Sequence, residues 1–302
     1  MSTDKPSNAM PSTTTPSTTT PSTTEAPGRA ALPRVGFIGW GAASTAMQAH
    51  LQARGAGAAG AMRVFAIDER QPPPGVEPIG SVESLFQQAE LIIVDAEPAQ
   101  LVPHLPLMRL AISDRHTLVM IGPGWSLDAL LHHLHERKLM RCLVRPGPVP
   151  GQTLLAFFAA PFIDRAGIDS FNSWFGDMGL LLELASEAQF EVAQTLVDIA
   201  PAAFLTILDA LADGALMMGL PRRPALAVVA AVLENTAAAL RAAPEHPERL
   251  RDEALQSHVA ATGLMEMESA GIRGLMMRVV REATRVQGHR TDLLKANHEG
   301  QS

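Results

Sequence analysis

From Arg34 onward, short runs of aliphatic residues alternate with stretches whose apolar positions recur at helical spacing, the pattern of repeated strand–helix–strand units feeding a parallel sheet. The pattern predicts strands at Val35–Gly39, Arg63–Ile67, Leu91–Val94 and Thr117–Ile121, and a last strand near Cys142–Val144. The runs are aliphatic or β-branched at nearly every position, as expected of strands buried on both faces. A helix is predicted over Ala43–Arg54. After about Ser186 the strand signals stop and segments rich in Ala, Leu and Met take over, so the second half reads as all-helical. Ile272, Leu275, Met276, Val279, Ala283 and Val286 form one apolar stripe. Gly219-Leu-Pro221 reads as a helix stop followed by a new start, and His246-Pro247 as another helix entry.

Residues 1–32 are different. Pro-Ser-Thr-Thr recurs three times between Pro11 and Pro27 with no large apolar side chain, which predicts a disordered tail. The expected organisation is therefore a tail at 1–32, a sheet-containing domain at 33–185 and a helical domain at 186–302. The fold class is α/β plus all-α.

Composition narrows the partners. The chain has 302 residues, is 47% hydrophobic and carries a net charge of −7, and no Lys/Arg stripe is present to neutralise a phosphate backbone. A nucleic-acid partner is not expected. The longest uninterrupted apolar stretch, Ala225–Leu233, is much shorter than the roughly 20 residues of a bilayer span, so no membrane segment is expected. The N-terminal region lacks the apolar core of a secretory signal. A single cysteine, Cys142, excludes an internal disulfide and suits a reducing compartment, so a cytoplasmic location is expected.

The sharpest local signal is Gly39-Trp40-Gly41-Ala42-Ala43-Ser44, which closes the first predicted strand and opens the first helix. One glycine permits the tight turn, the next lets a backbone approach a pyrophosphate, and the small Ser44 allows close helix–strand packing. Asp68 ends the second predicted strand, where an acidic side chain accepts from a ribose hydroxyl and repels a 2′-phosphate, pointing to NAD. Arg70 could hold that phosphate and keeps NADP open. This sequence of features predicts a Rossmann-type dinucleotide-binding domain. No residue set has metal-ligand spacing. His132, His133 and His135 spread over more than one helix face, and Asp209 and Asp213, at i,i+4, read as exposed or separately partnered. The Met217/Met218 and Met276/Met277 pairs read as core or interface packing.

From Val35 to about Gln287 the chain resembles pyrroline-5-carboxylate reductase. Leu208-Asp-Ala-Leu-Ala-Asp-Gly-Ala-Leu-Met-Met-Gly-Leu-Pro-Arg222 is similar to the family's helix and turn before its dimerisation bundle, and Glu245–Asp252 and Ala270–Gly274 match in order and spacing. The resemblance implies hydride transfer from NAD(P)H to a small imine or carbonyl substrate, a homodimer or larger homo-oligomer, and cofactor contacts at Ala96 and Pro98. The substrate loops depart. Where the family has Ser-Pro-Gly-Gly-Thr-Thr this chain has Gln256-Ser-His-Val-Ala-Ala-Thr-Gly263, leaving Ser257 and Thr262 as carboxylate anchors and His258 as proton donor. The family's Gly-Ser-Gly-Pro-Ala is Asp198–Ala202, its Met-Pro-Asn-Thr-Pro is Val144–Pro148, and Glu97 replaces the Lys of its Val-Lys-Pro turn. Two function classes follow: a working reductase of altered specificity, or a diverged non-catalytic dinucleotide-binding protein.

Overall fold

The computed structural model describes residues 32–55, 62–67, 74–242 and 247–299. Its N-terminal half is one eight-stranded sheet built from β1 (Val35–Ile38), β2 (Met62–Phe65), β3 (Val76–Pro78), β4 (Leu91–Asp95), β5 (Thr117–Ile121), β6 (Lys138–Arg145), β7 (Thr153–Ala159) and β8 (Gly179–Glu183). The spatial order is β3-β2-β1-β4-β5-β6-β7-β8. All neighbours are parallel except β6 and β7. The order reverses direction at β1, whose neighbours are β2 on one side and β4 on the other. That reversal creates the crevice at strand C-termini where doubly wound sheets bind ligands.

Helices α1 (Ala42–Ala53), α2 (Val82–Gln88), α3 (Pro98–Leu101), α4 (Leu105–Ala111), α5 (Leu127–Leu134) and α6 (Arg165–Phe175) follow the strands. Alternation within each strand feeds two cores. Phe37, Ile93 and Val119 pack with Met47 and Leu51 of α1 and with Phe171 and Phe175 of α6. Ile38, Ile92, Val94 and Met120 face the other way, onto Leu85, Phe86, Met108 and Leu130 of α2, α4 and α5. This two-sided burial explains the unbroken aliphatic runs. Gly36 is small for a packing reason, since a Cβ there would stand 2.9 Å from Ala89 Cβ of the segment behind it.

The sheet is larger than the sequence pattern predicts. The last strand is β8, not Cys142–Val144, because β6 hairpins into β7 and a parallel crossover through α6 adds β8. After Thr153 the strand is the six-residue apolar run Leu-Leu-Ala-Phe-Phe-Ala without alternation, which periodicity cannot separate from a buried helix segment. β8 is an edge with Leu180 and Leu182 exposed, and β3 has only three residues, so neither carries a two-sided hydrophobic signal.

Among the described residues, five helices follow: α7 (Glu187–Met217), α8 (Arg222–Ala242), α9 (Pro247–Ala254), α10 (His258–Ser269) and α11 (Ile272–Glu299). Gly219, at φ 95°, ends α7 and Pro221 precedes α8, as the stop–start signal predicts. Helix α9 begins at Pro247, while His246 lies outside the described residues. Asp209 and Asp213 are both exposed, the first of the two alternatives the i,i+4 spacing offered, and they share one partner, Arg222. These helices bury little of their own apolar surface: Phe204, Leu205, Met217, Met218, Val259, Met265 and Met277 are all exposed in the single chain. None of the predicted stripe on α11 is fully buried either.

By length and composition α7 and α8 are each apolar enough to cross a membrane, with mean hydropathy 1.7 and 1.5 in their best windows. The expectation of no membrane segment rested on uninterrupted run length, which scattered polar residues keep short in both helices without lowering their mean hydropathy far. Pro201 lies inside α7, where it removes one backbone donor.

Candidate functional site

The first turn of α1 meets the ends of β1 and β4. Gly39 sits at φ 73°, in the left-handed region that favours glycine, and its amide donates to Phe65 O at 3.0 Å. A Cβ at Gly39 would lie 2.5 Å from the backbone oxygen of Asp95, so β4 approaches the turn as closely as backbone can. Gly41 is the N-cap of α1 and offers no side chain to it. Among the described residues no acceptor meets the amides of Ala42 and Ala43, which leaves two helix N-terminal donors for an anion. The turn therefore fits a dinucleotide pyrophosphate.

Trp40 is buried rather than presented to a ligand. It packs edge-on against Phe37 with ring centroids 4.7 Å apart, and its Nε1 donates to Thr45 Oγ1 at 2.9 Å. Ser44 is fully buried, and both its amide and its hydroxyl donate to Asp95 Oδ2, at 3.0 and 2.7 Å. Asp95 is the residue at this site that the sequence reading passed over. Its position as the last residue of the strand beside β1 was the available signal.

Ala96 follows Asp95 and is buried, its carbonyl accepting from Trp125 Nε1 at 3.4 Å. Pro98 opens α3, whose capping box joins Glu97 and Gln100. Gly39, Gly41 and Ser44 thus meet Asp95 at the end of β4, with Ala96 and Pro98 next along the chain. Asp68 and Arg70 lie outside the described residues.

Beside α1, the Pro146–Gly151 loop and Met178 border a cavity of about 400 Å³ that also touches Ala46 and His50. His50 Nε2 is 3.0 Å from Trp174 O and 3.1 Å from Asp177 Oδ1. Partial burial works to raise the Asp177 pKa, but its own backbone amide, Arg54 and His50 outweigh that and hold it below the ordinary carboxylate value.

The three residues expected to handle substrate are arranged differently from a loop. Ser257 is the N-cap of α10 and accepts from Val259 N at 3.2 Å, His258 is the first residue of that helix, and Thr262 Oγ1 donates to His258 O at 2.9 Å. All three are exposed and make their hydrogen bonds within α10, so within one chain they are not brought to the glycine turn. Replacing Pro-Gly-Gly by His-Val-Ala removes the helix breakers, and the segment winds up as the start of a helix.

The family model described as pyrroline-5-carboxylate reductase dimerisation matches residues 187–289, which is α7 to most of α11. Pyrroline-5-carboxylate reductase 2 of Rattus norvegicus is 26% identical over 271 residues, covering 82% of this chain and 80% of that one. Over residues 187–289 the chain carries the dimerisation segment of the pyrroline-5-carboxylate reductases, and along most of its length it is similar to them. Among solved structures, the pyrroline-5-carboxylate reductase of Coxiella burnetii has a TM-score of 0.75 at 18% identity, covering 86% of this chain and 98% of its own. That of Plasmodium falciparum, solved with NADP bound, has a TM-score of 0.69 at 18% identity with the same coverage. The unburied apolar faces of α7, α8, α10 and α11 all fall within the dimerisation match.

Proposed function

We propose that the protein is an NAD(P)-dependent reductase that acts on the C=N bond of 1-pyrroline-5-carboxylate or a related small imine. The observation that carries this reading is one chain holding both parts of the family: a left-handed glycine turn opening α1 at the sheet's switch point, and the dimerisation segment at 187–289. The bound reduced dinucleotide supplies a hydride to the imine carbon, and the imine nitrogen takes up a proton, giving the cyclic amine. The amides of Ala42 and Ala43 hold the pyrophosphate, and Gly39 and Gly41 leave room for it to approach. Asp68, at the end of the second strand run, selects NAD over NADP by excluding a 2′-phosphate. Ser257 and Thr262 hold the substrate carboxylate and His258 delivers the proton, in an assembly where a second copy covers the apolar helices and brings α10 to the crevice. A homo-oligomer working in the cytoplasm is the matching cellular form.

The test is fluorescence titration with NADH and NADPH, followed by turnover assays with pyrroline-5-carboxylate, other cyclic imines and keto acids. Tighter NADH binding with turnover of one of these substrates is expected. Binding without any turnover would replace the reductase reading by the diverged, non-catalytic one, which the rewritten Ser257–Thr262 segment favours.

A further inference from the structure

We infer that Asp95 sets how tightly this chain holds its dinucleotide, because its carboxylate already occupies part of the anion-binding end of α1. The inference rests on the dinucleotide reading above and adds to it a residue that works against binding. Asp95 ends β4, the strand paired in parallel with β1, so its side chain reaches the turn from beneath. Its Oδ2 takes the hydrogen bonds of both the Ser44 amide and the Ser44 hydroxyl. The Ser44 amide is the third orphan donor of α1, after Ala42 and Ala43, and would otherwise add to the positive end of the helix.

The glycines report the same occupancy. A Cβ on Gly41 would stand 2.7 Å from Asp95 Oδ2 and 3.1 Å from Oδ1, so the carboxylate lies against the bare face of that glycine. Part of the room that Gly41 creates is filled by the protein's own anion. Among the described ion pairs none involves Asp95, and the nearest charged residue along the chain is another acid, Glu97, at the N-cap of α3. A pyrophosphate on the Ala42 and Ala43 amides therefore meets a like charge that has no cationic partner among the described residues and that also withholds one donor. The same carboxylate stabilises the empty turn, since a negative group at a helix N-terminus satisfies its donors.

Two opposite effects should separate in Asp95→Asn, whose amide oxygen can still accept from Ser44 while the charge is gone. In the full-length protein, this variant should bind NADH and NADPH about five- to tenfold more tightly than wild type at low salt, with the gain shrinking as ionic strength rises. Without ligand it should melt at a lower temperature than wild type, and with cofactor its melting point should rise further. Asp95→Ser serves as the second variant if the first does not fold. Equal or weaker binding by a cooperatively melting variant, next to a wild type that binds, would overturn the role of Asp95 alone. If neither wild type nor variant binds either cofactor, the dinucleotide reading falls and this inference with it.

Discussion

Arg141 Nη1 donates to Glu191 Oε1 at 2.6 Å from the middle of the sheet, where the arginine side chain is only 1% exposed. The same nitrogen reaches Glu187 Oε1 at 2.7 Å, one helical turn earlier, and the guanidinium carbon stands 4.3 Å over the Phe190 ring between them. Glu187 Oε1 also accepts from Leu127 N at 2.6 Å, at the start of α5. One buried cation thus ties β6, α5 and the beginning of the helical half together. Removing it would leave two carboxylates facing each other beside the sheet. Arg141→Ala should cost about 3–5 kcal/mol of stability, read from urea unfolding, as expected when a buried pair loses one partner. A loss of less than about 1 kcal/mol would show that water solvates the two glutamates and that the triad is not a structural tie.

The parallel sheet, the glycine turn and the helical half were all legible in the sequence, because each leaves a local trace: two-sided aliphatic runs, a Gly-x-Gly after a strand, helical spacing after Ser186. Asp95 and Arg141 were not. Their meaning depends on partners far along the chain, Ser44 for one and Glu187 with Glu191 for the other, and no spacing rule links them. Strands β7 and β8 were lost for a different reason, since an unalternating apolar run and an exposed edge carry no period to read. Ser257 was singled out as a candidate substrate anchor, and its place as a helix cap was not legible. The cap depends on the helix that replaced the family's glycine loop.

His116 ties stability to pH. It is buried between α4 and β5 and all its polar capacity is used: Ser113 N donates to Nδ1 at 2.8 Å, which places the proton on Nε2 for donation to Phe86 O at 2.8 Å. Burial lowers its pKa from the ordinary value, and Arg115 adds to that. A folded pKa below the unfolded one means the unfolded chain binds the proton first. Stability is therefore full above about 6.5 and falls as pH drops from there toward the folded value, by up to about 1.4 kcal/mol per pH unit. Chemical unfolding between pH 7.5 and 5 should show this slope in wild type and a shallower one in His116→Gln. Parallel slopes would mean that the imidazole is protonated as easily in the fold as outside it.

The apolar faces of the helical half predict assembly. Leu205 is 66% exposed on α7 and lines an apolar groove with Leu226 and Val229 of α8, inside the matched dimerisation segment. Light scattering at micromolar concentration should give a mass well above the 32.2 kDa of one chain. Leu205→Asp should shift the population toward monomer, because a charge buried at such an interface is costly unless paired. A wild type that runs as a clean monomer would contradict the homo-oligomer.

Catalysis through α10 can be separated from its folding by the choice of substitution. Ser257 serves as an N-cap, so Ser257→Ala mixes two losses: a hydroxyl for substrate and about 0.5–2 kcal/mol of helix stability. Ser257→Gly keeps the cap nearly intact, at a cost of only a few tenths of a kcal/mol, and removes the hydroxyl alone. If that hydroxyl anchors the substrate carboxylate, Ser257→Gly should lower kcat/KM by about tenfold to a hundredfold, the equivalent of one charge-assisted hydrogen bond, while NADH affinity stays unchanged. Thr262→Ala should do the same, since among the described residues its hydroxyl is held by His258 O alone. His258→Gln should instead flatten one limb of the pH–rate profile, as loss of a proton donor does and loss of an anchor does not. Were Ser257→Gly to retain full activity while Ser257→Ala lost it in step with its melting temperature, Ser257 would be a cap and nothing more, and the carboxylate anchor would have to come from elsewhere at the crevice.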